Sequence, residues 1–164
     1  MRGPHLIRPG WARWLLMSAG VASAYYLSAR LGLLLAFQAT NASPVWPPSG
    51  LALGAVLLLG GTALPGIWLG SCLANAAVFT ANHAAAPAVI WLASALIALG
   101  NMLEAWAGWW LLRRMVKAAS PFEEAPDVFR FVATAFLMCL VSAGIGPLVL
   151  VLNGIIPWAL YRTV

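Results

Sequence analysis

From Leu31 to Leu103 the chain contains no aspartate, glutamate, lysine or arginine. A water-soluble domain cannot run that far without charge, since about a quarter of the residues in such domains are charged. The rest of the 164-residue chain follows suit, with 63% hydrophobic residues, 8% charged residues and a mean hydropathy of +0.90. The expected fold is therefore all-α: a polytopic transmembrane helical bundle forming a single integral-membrane unit. With no basic stripe to follow a phosphate backbone, the net charge of +5 speaks of topology and anionic lipid, and nucleic acid is not an expected partner.

Turn residues divide the apolar sequence into about five spans. The first is expected from Trp14 to Phe37. Its arginines (Arg2, Arg8, Arg13), apolar run and Ala22-Ser23-Ala24 imitate a cleaved leader, but the apolar run continues past that point and predicts a retained helix. Leu51 to Gly61 is eleven residues, about 16 Å of helix against a hydrocarbon core of about 30 Å. It forms either a short span paired with Ile67–Phe79 or, with it, a re-entrant hairpin. Pro87 to Leu112 is a long span ending in Arg113, Arg114 and Lys117. Ser120 to Glu123 reads as a capping box, and Val128 to Leu152 is the fifth span. Basic clusters at the N-terminus and at Arg113–Lys117 both belong on the cytoplasmic side, which places the N-terminus inside. The tryptophans agree, falling at the ends of the proposed spans as an aromatic belt.

Between the first two spans lies Asn41-Ala-Ser-Pro-Val-Trp-Pro-Pro-Ser-Gly50. Pro44, Pro47 and Pro48 predict a rigid turn, Trp46 an interfacial anchor in its middle, and Ser49 a cap for the helix beginning at Leu51. The turn is either a stiff connector or a lip facing the outside.

No catalytic constellation is present. His5 and His83 lack partners at metal-ligand spacing, Cys72 and Cys139 read as buried thiols, and no cofactor is expected. The polar content of the spans is more informative. Arg30 and Glu104 are ionisable groups at membrane depth, costly in hydrocarbon unless they face a partner or a wet cavity. By helical rise Glu104 and Asn75 share a layer, and Asn101 lies one turn from Glu104 on the same face. Arg30 counts about 12 Å further out, so a direct Arg30–Glu104 pair needs snorkelling. Two roles fit Asn75, Asn101 and Glu104: polar glue between helices, or a ligand pocket. Gly66 and Gly70, and Ser142-Ala143-Gly144 with Gly146, are expected to let helices approach closely.

The set Val45-Trp46-Pro47-Pro48-Ser49-Gly50, Leu64-Pro65-Gly66-Ile67, Gly70 and Asn75 resembles the bacterial membrane-associated sensor domain of the first type, the first MASE family. Asn101-Met102-Leu103-Glu104-Ala105, Pro121-Phe122 and Asp127-Val128-Phe129-Arg130-Phe131 extend the resemblance over most of the chain. It implies the N-terminal portion of a bacterial inner-membrane signal-input domain, passing an unknown cue to a histidine kinase or a cyclic di-GMP turnover domain. The family's later spans and the output domain are not in this sequence, so the chain reads as truncated. The candidate ligand-binding or signalling residues, from the residue reading and the resemblance together, are Trp46, Pro47, Pro48, Asn75, Asn101, Glu104 and Arg30. The expected partners are the lipid bilayer, a small-molecule cue or a membrane protein, a second copy of the chain, and an output domain on a longer chain. A transport or substrate-capture subunit is the alternative function, since proline-broken short helices beside a polar layer also suit transporters.

Overall fold

The computed structural model describes residues 10–34, 46–115 and 125–158. These residues form five α-helices and no strand: α1 Trp11–Leu34, α2 Pro47–Leu59, α3 Leu64–Ala81, α4 Pro87–Met115 and α5 Ala125–Leu152. A 3-10 turn, Gly60–Ala63, joins α2 to α3.

Three stretches are long and apolar enough to cross a membrane: Pro47–Ala81, Pro87–Met115 and Ala125–Leu152. That is fewer than the five spans expected. α1 has the length, at 24 residues, but arginines near both ends and a tyrosine pair dilute its apolar run. The first stretch contains both α2 and α3, and its contacts show that it doubles back. The start of α2 lies against Gly32 near the top of α1, where a Cβ on Gly32 would sit 3.1 Å from Pro47 Cδ. Gly66, at the start of α3, meets Ser18, and Gly70 meets Ala22. Residues 18 and 32 are about 21 Å apart along α1, so α2 runs against α1 and α3 runs with it. Gly60, at φ 65° and ψ −152°, supplies a left-handed reversal that a Cβ would disfavour.

α2 and α3 hardly touch. Each packs on α1 and on α4, which lie between them. The two arms of the short pair are thus splayed, not zipped together as a self-contained hairpin. α4 returns beside α3, and α5 packs chiefly along α4.

The helix starts correct the reading of the proline turn. α2 begins at Pro47, not at Leu51, so Pro47 and Pro48 occupy its first turn and Trp46 is its N-cap. Proline is suited there, because the first helical N–H groups have no partner to lose and φ is already set. Ser49 donates its backbone N–H to the Trp46 carbonyl at 3.2 Å and makes no side-chain cap. Pro48 is fully buried. The stiffness is that of a helix start seated in the bundle. Asn41 to Val45 and the Ser120–Glu123 capping box lie outside the described residues.

Close approach between helices also falls unevenly. Added Cβ atoms on Gly66 and Gly70 would lie 2.5 Å from the carbonyl oxygens of Ser18 and Ala22, so α1 and α3 touch backbone to backbone. Gly144 and Gly146 meet nothing within 4 Å, and the small residues of α5 do not serve as an interface here. On α4, Gly100 receives Ile145 and Gly108 receives Met138, which seats α5. At the end of α4, Arg113 and Arg114 stack on Trp109 and Trp110, at 4.8 and 3.9 Å from the ring centroids. Their charged heads thereby stay at the edge of the apolar span.

Candidate functional site

A layer of polar side chains crosses the middle of the bundle, and Ser71 on α3 is its hub. Asn101 of α4 donates its side-chain amide to Ser71 Oγ at 2.7 Å. Asn75, one turn above Ser71, donates to the Ser71 carbonyl at 2.9 Å and reaches Oγ at 3.4 Å. Tyr25 of α1, 1% exposed, brings its phenol against Ser71 and Trp46. A continuous series of contacts therefore runs from the N-cap of α2 to the centre of α4, as Trp46, Tyr25, Ser71, Asn101. Four helices contribute to it.

Glu104 is buried among these helices at 2% exposure. Its expected partners are not the ones it has. Neither Asn75 nor Asn101 bonds to it, since both amides are turned to Ser71. Glu104 instead sits beside the Cys139 thiol of α5 and within electrostatic range of Tyr25. Its Oε1 has no hydrogen-bond partner among the described residues. A buried carboxyl oxygen left bare is costly, and it marks a place where a donor is wanted. Ser94 Oγ, two turns above Asn101 on α4, is buried and unpartnered as well.

The other predicted site residues divide into two groups. Trp46, Pro47 and Pro48 do meet the layer, through Tyr25 and the seat at Gly32. Arg30 does not. It is exposed on α1, lines a cleft with Val78 and Asn82, and makes no ion pair among the described residues, whose one ion pair is Arg130–Asp127 at 2.6 Å. No Arg30–Glu104 pair forms.

Sequence reasoning missed three participants. Ser71 and Tyr25 are ordinary in a membrane helix, and only their mutual approach makes them a hub. The approach is legible in part, because Ser71 follows Gly70, where α3 lies against α1. In the sequence Asp127 stands out only as part of the Asp127–Phe131 motif, yet it is 1% exposed and held by Arg130 at the start of α5.

A helical bundle with apolar, largely lipid-facing outer surfaces and one compact polar layer inside defines an integral-membrane domain. The family model for MASE1 matches residues 17–163, nearly the whole chain. The protein belongs to the MASE1 family, the first type of membrane-associated sensor domain, an input-domain family rather than a catalytic one. No curated protein and no solved structure matches the chain.

Proposed function

We propose that the domain detects its cue at the Ser71–Asn101–Glu104 layer and reports it through α4 and α5 to a cytoplasmic output on a longer chain. The observation that carries this reading is the bare Oε1 of Glu104 beside the polar layer inside the bundle. Polar glue alone would leave no acceptor empty, because an unmade bond costs more than the pair contributes. A cue carrying a hydrogen-bond donor, or a proton, would complete the layer. The occupant would then press on Tyr25 and Cys139, and so on α1 and α5 together. Trp46, through Tyr25, connects the outer helix start to the same layer.

On this reading the chain would cross the inner membrane five times, with α2 and α3 as a short splayed pair. The N-terminus and the Arg113–Lys117 segment would both be cytoplasmic, as their positive charge favours. The output, by resemblance, is a histidine kinase or a cyclic di-GMP turnover domain, and a dimer of such chains would carry the displacement.

The test is Glu104→Gln and Glu104→Leu in the full-length protein with its output domain attached. Gln keeps the shape and an acceptor oxygen but removes the charge and the titratable proton. It should therefore insert and fold normally while abolishing a response that rests on the carboxyl's charge or proton. Leu should abolish the response as well, with helix packing changed by about 1 kcal/mol. A normal response from the Gln variant would reduce Glu104 to packing.

A further inference from the structure

The outer face of α1 and α3 carries a second feature that the polar layer does not use. A long cleft runs between the two helices in two adjoining parts that share Leu27 and Ala81. The lower part, about 990 Å³, is bounded by Ala19, Leu73, Ala77 and Trp91. The upper part, about 650 Å³, is bounded by Leu31, Leu34, Val78, Arg30 and Asn82. Both are open sideways, toward where lipid would lie. The cleft exists because the α1–α3 contact is made by glycines on one side, and beside it the facing residues are alanines too small to fill the gap.

Charge decides what fits this cleft. Arg30 stands among Leu27, Leu31 and Leu34, which are 62%, 63% and 80% exposed, so its surroundings on α1 are hydrocarbon-facing. An arginine at such a place calls for an anion, and no carboxylate among the described residues pairs with it. The only other polar lining of the upper part is the amide of Asn82. Below Arg30 the lining is mostly apolar down to Ala19, with Ser23, Tyr26 and Thr80 as its polar members, a depth of about 16 Å along α1. That is one leaflet's share of the hydrocarbon core, about 15 Å. A cation at one end and a mostly apolar channel of one leaflet's depth together match an anionic lipid, head up and chain down.

We infer that the α1–α3 cleft is a binding site for an anionic phospholipid, its phosphate on Arg30 and Asn82 and one acyl chain along Leu27, Leu73, Ala77 and Trp91. The bilayer supplies such a lipid in quantity, and its occupancy would hold α1 against α3 from outside while the glycine contact holds them from within. The site is separate from Glu104 and does not depend on what the polar layer detects.

The intact protein, purified in mild detergent, is exchanged into equal mixtures of phosphatidylglycerol and phosphatidylcholine, and retained lipid is counted by native mass spectrometry. The parent should retain phosphatidylglycerol over phosphatidylcholine by about fivefold or more. Arg30→Gln should lose that preference, and Arg30→Lys should keep most of it. Ala77→Phe, which fills the channel, should lose the retained lipid altogether, with unchanged helical circular dichroism confirming its fold. Glu104→Gln should behave as the parent, which separates this site from the signalling reading. A parent without preference, or Arg30→Gln with the parent's preference, would overturn the inference. So would a folded Ala77→Phe that keeps its lipid, or a retained free fatty acid in place of phospholipid.

Discussion

α4 and α5 are of nearly equal length, and α5 is the more apolar, with a mean hydropathy of 2.4 against 1.7 over their best windows. Yet 44% of the α4 window is buried inside the protein and only 11% of the α5 window. In water the order would be reversed, since the greasier helix would take the centre. In a bilayer, lipid tails solvate leucine as well as protein does, so apolar character gives a helix no reason to seek the middle. Close packing and hydrogen bonds decide instead. α4 has Gly100 and Gly108 as seats, and Asn101 and Glu104 as groups that hydrocarbon cannot satisfy. α5 presents Phe129, Phe136, Leu140 and Leu152 outward and packs chiefly on α4, with Met138 also meeting Leu53 of α2.

The sharpest way to break this contrast is to add one carbon in each region. Gly70→Ala places a Cβ 2.5 Å from the Ala22 carbonyl and 2.9 Å from Tyr25 Cβ, and neither atom is the free end of a flexible side chain. It should cost about 2–3 kcal/mol and separate Tyr25 from Ser71. Gly144→Ala, in open space on α5, should change stability by less than about 0.5 kcal/mol. Reversible unfolding by detergent titration measures both. Equal effects would mean that α5 is covered by protein on that face.

A smaller effect is expected from trimming α5 on its two sides. Met138 is buried against Gly108 and beside Leu53, whereas Phe136 is 69% exposed. Met138→Ala should cost about 1–2 kcal/mol, below the range for aqueous cores because lipid offers the exposed helix compensating contacts. Phe136→Ala should be nearly silent despite losing the larger side chain. The same titration applies, and a costly Phe136→Ala would reveal a partner on the outer face.

At the hub the expected loss is at the lower end of the range for Met138→Ala. Ser71→Ala removes the acceptor of the 2.7 Å bond from Asn101 and should cost about 1 kcal/mol. In the full-length protein the same change should shift the concentration of cue needed for a half-maximal response, since Asn101 is then free to turn toward Glu104. A response curve unchanged by Ser71→Ala would confine Asn101 to packing.

Much of the fold could be read from residue order. Pro87 and the basic residues from Arg113 bracket α4, and the prolines and acidic residues before Val128 announce α5, because helix ends in membrane proteins are written in prolines, charges and tryptophans. The position of α2 was less legible. Pro47-Pro48 suits both a rigid turn and a first helical turn, and the choice rests on the seat that Gly32 and Tyr25 provide for Trp46 and Pro47. The site was half legible. Asn75, Asn101 and Glu104 stand out as polar groups in apolar spans, but their pairing does not, since any of several helix rotations would satisfy the same sequence.

What the sequence determined by itself is the solvent of this protein, and with it the secondary structure. An uncharged run from Leu31 to Leu103 must close its backbone hydrogen bonds internally, and helices do that without reference to any other part of the chain. It also determined the family, through short motifs whose order survives without any knowledge of contacts. The tertiary structure alone decided which glycines are interfaces, why Asn101 turns to Ser71 and leaves Glu104 bare, and why Arg30 faces a cleft and not a carboxylate. Those outcomes depend on helix rotation and tilt, which hydrophobicity does not set inside a membrane. Contacts between particular atoms set them, a few tenths of an ångström at a time.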